Sequence, residues 1–433
     1  MALEALLIIL IVLLVLLFLG VPISYAIGIS SLSAVLLTVD LDIAVLTAAQ
    51  RTFVGMSKFS LTAIPFFILA GNIMNQGGIA KRLVNFVMAI LGKLPGALLV
   101  TNVGTNALFG AISGSASAAA AAVGSMIRDG ADEQGYDPAI TAATNASSAP
   151  SGLLIPPSNA LITYSLASGG TSVAALFMAG YLPGIIWAVC CAIVGIILAK
   201  KLGYKGTPGK FDWKNLLHAT IAALPSLSLI IVVIGGIVGG IFTATEGSAI
   251  AVVYSLILAF CYKSINLKSL WKIIVDSAKM SGMVVFLIGV SNILGWVMAF
   301  TQIPDAVASA LLGLTSNKYV ILLIMNLILL VAGTFMDVTP AILIFTPLFL
   351  PICESFGMNP IHFGLILVYN LCIGNITPPV GNTLFVGIKI GRTSLAKVMP
   401  YMLMYYAAIL AGLLLVTYIP EITMILPRIT GLA

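Results

Sequence analysis

Charge is what this sequence has least of. Only 8% of its 433 residues are charged, whereas an average soluble domain carries about 25%, and that scarcity excludes an ordinary water-soluble enzyme. Histidine is nearly missing too: His218 and His362 stand alone, without HExxH spacing and without an evident acid or nucleophile partner, which argues against an intramembrane hydrolase. The five cysteines, Cys190, Cys191, Cys261, Cys353 and Cys372, lie in apolar runs. They lack the paired spacing of a zinc site or a disulfide framework and read as small apolar side chains. The 20 Lys and Arg against 14 Asp and Glu sit mostly in short loops. That is the pattern of a membrane protein with cytoplasmic basic loops, and no nucleic-acid partner is expected.

What is abundant is apolar sequence, 60% of the chain. A membrane-spanning helix needs about 20 mainly apolar residues, and stretches such as 173–199 and 321–351 are each long enough. The expected fold is an all-α polytopic membrane protein in a lipid bilayer. The opening stretch from Met1 to Thr38, broken at Gly20 and Pro22, reads as two spans joined by a tight turn. It lacks the basic start and short apolar core of a cleaved signal peptide and is expected to be retained.

Shifting the sequence on itself by 222 positions aligns Gly135, Pro138, Gly152, Pro156, Pro157, Gly169, Thr171, Ser172 and Ala174 with Gly357, Pro360, Gly374, Pro378, Pro379, Gly391, Thr393, Ser394 and Ala396. Matches concentrated in glycine and proline, which set backbone geometry, point to two copies of one bent structure. Their orientation follows from charge. The second copy ends in Lys389, Arg392 and Lys397, where the first has Ala167, Gly170 and Ala175, so the second loop is cytoplasmic and the first is free to face outward. Continuing along the chain, Lys200, Lys201, Lys205, Lys210 and Lys214 fall inside. Spans at about 218–240 and 245–262 then bring Lys263, Lys268 and Lys272 back inside. The copies are therefore expected to be inverted, an arrangement typical of secondary transporters with midplane sites.

Each copy contains two irregular segments. Residues 102–128 are apolar but split at Ser113-Gly114-Ser115, with Lys93 before and Arg128 after, which suits a re-entrant hairpin with its tip at 113–117. The matching stretch 320–352 is interrupted at 333–340, where Thr339 followed by Pro340 reads as a helix start. Two continuous spans are the alternative for each. After each hairpin comes a span broken by proline, at 144–164 (Pro150, Pro156, Pro157) and at 369–389 (Pro378, Pro379). Carbonyls freed by proline at membrane depth are tolerated in protein or beside a cavity, where they can coordinate a cation. Asn145, Ser147, Ser148, Ser158 and Asn159 surround the first break, and Asn370, Asn375, Thr377 and Asn382 the second. These neutral oxygen donors suit a sodium ion; their alternative role is hydrogen bonding between helices. Two acids interrupt the apolar parts. Asp337, aligned with Ser115, stands at the second tip, and an acid at bilayer centre costs about 2.5 to 3.5 kcal/mol, which makes it a candidate for substrate or ion contact. Glu246 is either a site residue or the start of a helix near the membrane surface.

Four motifs in order, MSKFSLTAIPFFILAGNIM at 56–74, GLLIPPS at 152–158, GGIFTATE at 239–246 and TPPVGNTLF at 377–385, resemble the large membrane subunit of tripartite ATP-independent periplasmic (TRAP) transporters, over essentially the whole chain. The resemblance implies an elevator-type secondary transporter of the bacterial inner (plasma) membrane, coupled to sodium. It also implies two partners, a small four-helix membrane subunit and a periplasmic substrate-binding protein, and an organic acid as cargo: a dicarboxylate, a sugar acid or sialic acid. Residues 93–170 and 318–392 would be the two transport repeats, with 1–92, 171–317 and 393–433 as scaffold and connecting helices. Sodium would be held among Ser113, Ser147, Ser148, Gly152, Gly333, Asp337, Thr339, Gly374, Thr377 and Asn382, and substrate among Ser115, Ser117, Ser158, Asn159, Asp337 and Asn375. Ala244 stands where the family commonly has proline, and the first tip is unusually rich in alanine at 117–122. No intramembrane arginine that would grip a carboxylate is evident, since Arg51, Arg82, Arg128 and Arg392 fall near span ends. The competing expectations are a self-sufficient sodium/dicarboxylate-type carrier and a passive channel.

Overall fold

In a computed structural model the described residues are 2–206, 212–315 and 317–433; Lys210 of the internal basic loop lies outside them. Among these residues the chain is helical and contains no strand. It opens with α1 (Ala2–Phe18), α2 (Ile23–Val35) and α3 (Leu41–Met56), and a short turn leads into α4 (Ala63–Gln76) and α5 (Ile79–Leu91). A first hairpin follows, α6 (Ala97–Ser113) and α7 (Ala116–Glu133), and then a broken helix, α8 (Pro138–Ser148), α9 (Ser151–Leu154) and α10 (Asn159–Ala167). The middle of the chain is α11 (Val173–Leu202), α12 (Trp213–Val238), α13 (Ala244–Cys261), α14 (Leu267–Phe300) and α15 (Ile303–Leu314). A second hairpin, α16 (Lys318–Phe335) and α17 (Val338–Ser355), precedes a second broken helix, α18 (Pro360–Gly374) and α19 (Asn382–Ile390), and the chain ends with α20 (Leu395–Tyr418) and α21 (Glu421–Ile429). Seven of the described helices are long and apolar enough to cross a membrane, or eight if α3 and α4, which meet at a 59° bend, form one span.

The internal repeat is plain in the helix starts. Those of α6, α7, α8, α10 and α11 (97, 116, 138, 159, 173) map onto those of α16, α17, α18, α19 and α20 (318, 338, 360, 382, 395), each at the spacing of the sequence repeat to within a single position. The extra residue lies in the second proline break, PPVGN against PPSN. The same local chemistry starts both broken helices. Asp137 accepts a hydrogen bond from Ala139 N at 2.8 Å, Asn359 accepts one from Ile361 N at 2.8 Å, and each cap is followed by proline at the first helical position.

The copies are inverted. The first broken helix begins beside α11 and α20, where Asp137 N donates to the Tyr204 hydroxyl at 2.9 Å and the Tyr401 hydroxyl donates to Asp137 at 3.0 Å. It finishes beside the base of the second hairpin, where the Tyr164 hydroxyl donates to Pro360 O at 2.6 Å. The second broken helix starts there and ends where Arg128, at the base of the first hairpin, donates to Ile390 O at 3.3 Å. The two hairpins thus enter from opposite ends of the same cross-section. Their packing is exchanged: α10 lies against α17 of the second hairpin, and α19 against α7 of the first.

Close glycine contacts seat the hairpins. A Cβ on Gly152 would fall 2.2 Å from Gly110 Cα, and one on Gly374 would fall 2.3 Å from the Gly333 carbonyl carbon. Around this centre, α4 packs on α13, α3 and α2 on α14, and α5 on α12. Glu246 is settled as a helix-start residue: its carboxylate accepts from Thr243 N at 2.8 Å while Thr243 Oγ1 accepts from Glu246 N at 3.2 Å, a reciprocal capping pair at the head of α13.

Candidate functional site

The first tip is made by glycine. After Ser113 the chain turns through Gly114 at φ 61°, a left-handed conformation that favours glycine, and the extended Ser115 caps α7 by accepting from Ala118 N at 3.3 Å. The Ser115 and Ser117 hydroxyls lie 3.3 Å apart, and Ser113 Oγ donates to Ser115 O at 3.4 Å. Asn159, at the head of α10, donates to Gly114 O at 3.4 Å and ties the first tip to the first break. The second tip differs from its expected form. Helix α17 starts at Val338 with Asp337 at the capping position, so Thr339 is not the cap but lies in the first turn. Proline is accepted anywhere in a first helical turn, where the missing N–H has no helical partner to lose, so Pro340 did not mark the boundary. Asp337 as a residue is accessible at the tip, but its carboxylate is crowded by protein and lies within reach of the Val338 N–H and the Asn382 side-chain amide. Asn382 begins α19 as Asn159 begins α10, so each break turns an asparagine toward a tip.

The tips meet at a cavity of about 150 Å³. Its polar lining comes from Ser115 and Ser117 of the first tip, Asp337 and Thr339 of the second, Asn159 of the first break with Thr163 one turn on, and Asn375 of the second break. Ile64 and Ile68 of α4, with Met280 and Val284 of α14, form a wall outside the repeats. Nothing in the sequence marks Met280 and Val284, and the 56–74 motif that holds Ile64 and Ile68 does not show which way they face, because an apolar residue facing lipid and one facing a cavity look alike. The buried Asn375 Oδ1 and Asn159 Oδ1 have no hydrogen-bond partner, nor does the fully buried Thr383 Oγ1 one residue beyond Asn382. An unpaired buried oxygen costs about 1–3 kcal/mol unless a ligand satisfies it. Acceptor oxygens, one carboxylate and no basic side chain in the lining fit a small hard cation.

The remaining predicted residues are placed elsewhere or are already engaged. Ser147 turns away from the cavity: its hydroxyl donates to Met402 Sδ at 3.2 Å, and its carbonyl accepts from Trp187 Nε1 at 2.8 Å. Ser148 donates to Thr144 O at 2.7 Å and accepts from Asn106 at 2.8 Å. Ser158 caps α10 and donates to Leu153 O. Thr377 donates to Ile373 O at 2.7 Å. Gly152, Gly333 and Gly374 form the close backbone contacts described above, so only their carbonyls are available to an ion. Asn145 and Asn370 hold helices together, donating to Ala120 O at 2.8 Å and to Asn326 Oδ1 at 2.7 Å. Several carbonyls at the breaks likewise have protein donors, Ile376 O accepting from the Tyr406 hydroxyl at 2.6 Å. The oxygen donors not already engaged within the protein thus gather at the tips and the two asparagine-lined turns.

Two inverted copies of a hairpin plus a broken helix, enclosing a polar pocket inside an otherwise apolar helical body, define a membrane transport protein. The chain belongs to the family described as tripartite ATP-independent periplasmic transporter, DctM component, whose model matches residues 10–422. It is 50% identical to the uncharacterized protein YgiK of Salmonella typhimurium, over 95% of both chains. It is 36% identical to the C4-dicarboxylate TRAP transporter large permease protein DctM of Rhodobacter capsulatus, over 98% of this chain and 99% of that one. It is 39% identical to the isethionate TRAP transporter permease protein DctMQ of Oleidesulfovibrio alaskensis, over 94% of this chain but 64% of that protein. The crystal structure of the Alcanivorax borkumensis YdaH transporter superposes with a TM-score of 0.63 at 16% identity, covering 88% of this chain and 89% of that one, a likeness of fold. The chain is a multi-pass transporter permease and not an enzyme.

Proposed function

We propose that the chain imports an organic acid across the bacterial inner membrane by secondary active transport coupled to sodium. It would receive its substrate from a periplasmic binding protein and work with a small membrane subunit, as the family's description as tripartite suggests. The observation that carries the reading is the cavity between the tips, where Asp337 and the unpaired oxygens of Asn159 and Asn375 converge from both repeats. Sodium is co-transported cargo in this scheme, held by tip and break oxygens. One wall of the cavity belongs to α4 and α14, outside the repeats. Residues 93–170 and 318–392 then move as one body past that wall, an elevator motion that carries the pocket from one face to the other. Relatives named for C4-dicarboxylate, sialic acid and isethionate transport support an anionic cargo. An inward sodium ion gains about 2.3 kcal/mol per 100 mV, so two or more can concentrate an anion substantially.

The test is uptake into proteoliposomes containing this chain and its small subunit, supplied with the cognate binding protein and a panel of labelled organic acids. Accumulation that requires the binding protein and collapses when choline replaces sodium is the expected result. Equal uptake in choline removes sodium coupling. Sodium-driven uptake by this chain alone would instead establish a self-sufficient carrier.

A further inference from the structure

The pocket between the tips presents a difficulty for an anionic cargo: its lining contains one acid, Asp337, and no base. The basic groups lie further out, Arg51 on α3 and Lys58 in the turn that follows it, two segments that do not line the pocket. A second cavity, of about 430 Å³, is lined by Arg51 and Lys58 together with Ser291, Asn292, Leu166 and Leu343. It stacks on the pocket along three shared elements. Thr163 gives way to Leu166 on α10, Val284 to Ser291 on α14, and Thr339 to Leu343 on α17, which at 1.5 Å per residue is roughly 5–10 Å further along. It continues into a third cavity of about 380 Å³ that shares Lys58 and Leu166 and is walled by the 169–172 loop, the end the charge pattern assigns to the outside. No Asp or Glu lines either cavity. Arg51 and Lys58 form no ion pair among the described residues, and both are exposed. The Arg51 guanidinium is held 5.9 Å from the centroid of the Trp296 ring. Two uncompensated cations facing one recess, with low-dielectric walls, focus an attractive field on anions.

We propose that this recess is an anion-collecting vestibule, in which Arg51 and Lys58 bind the carboxylate or sulfonate of a substrate above the pocket before the neutral part of the molecule descends to Ser115, Asn159 and Asn375. It rests on the import reading and names where the substrate's charge is met. Both cations belong to segments outside the transport repeats, so the anion is released from them when the repeats move.

The test reads the local field without needing the substrate. Ala299 lines the vestibule and is exposed. The full-length A299C protein, with the exposed native thiol removed by C261S, is placed in nanodiscs and treated with sulfonatoethyl or trimethylammonioethyl methanethiosulfonate. The ratio of anionic to cationic modification rates should fall about tenfold in R51Q/K58Q, with intermediate falls in each single variant and a smaller effect near 1 M salt. The control pair K81Q/R82Q should leave the ratio unchanged. A ratio indifferent to R51Q/K58Q, or one responding equally to the control pair, overturns the vestibule. So does a wild-type ratio that drops to the double variant's value when anionic lipid is added, since the cations would then be lipid ligands. In uptake assays R51Q/K58Q should raise KM severalfold with kcat kept. If no organic anion is carried by the wild type, the import reading fails, while the reagent ratio still decides the vestibule.

Discussion

The contact between α6 and α9 offers a severe test, because it is made backbone to backbone. A methyl on Gly110 would lie 2.6 Å from Gly152 Cα, against an ordinary contact of at least 3.4 Å, so something must move by about 3.4 − 2.6 = 0.8 Å. The obstacle is main chain and cannot rotate aside. Overpacking of this kind typically costs about 1–3 kcal/mol, which corresponds to roughly a 5–150-fold loss in the population of the seated hairpin. The equivalent contact in the second repeat is looser on the hairpin side: a methyl on Gly333 would lie 3.2 Å from Gly374 Cα, close enough to an ordinary contact that a slight shift accommodates it. Gly235 of α12 has nothing within 4 Å and an ordinary helical backbone, and alanine there should be neutral or slightly stabilising, by up to about 1 kcal/mol. Thermal unfolding of purified protein in detergent should therefore rank G110A lowest, G333A closer to the parent and G235A at or above it, with uptake failing in the same order. If G110A melts with G235A, the tight hairpin seat is wrong and the reasoning built on it falls.

Replacing Asp337 by Asn should cut uptake about tenfold or more, the scale of a lost hydrogen bond to a charged group, while yield and melting temperature stay near those of the parent; parental uptake rates would remove Asp337 from the site. Single cysteines at Ser168 and Lys389 should be labelled by an impermeant thiol reagent from opposite faces of right-side-out and inverted vesicles. Labelling of both from one face would contradict the inversion.

Glycine and proline act locally, and what they govern was legible from the residues alone. Pro156-Pro157 and Pro378-Pro379 interrupt helices wherever they occur in a chain, and Gly114 with its flanking serines makes a tip irrespective of neighbours. The internal repeat, the two hairpins and the two breaks followed from such positions, and the short basic loops indicated the inversion. Where each polar side chain points was decided only by packing. Ser115 and Ser147 are the same residue type in equally small-residue surroundings, yet one lines the cavity while the other is turned to Met402 by the arrival of α11 and α20. Thr339 looked like a cap because its neighbour is proline, but the cap is two residues earlier, at Asp337, and the helix begins on Val338. That Ile64, Ile68, Met280 and Val284 form a wall had no signature, even though the first two lie in the 56–74 motif, since lipid and protein interior are equally apolar and hydrophobic periodicity cannot tell them apart. Arg51 read as a span-end charge until α3 was folded against α14, a helix from the far half of the chain, because a one-dimensional pattern holds no information on which distant helix closes a recess.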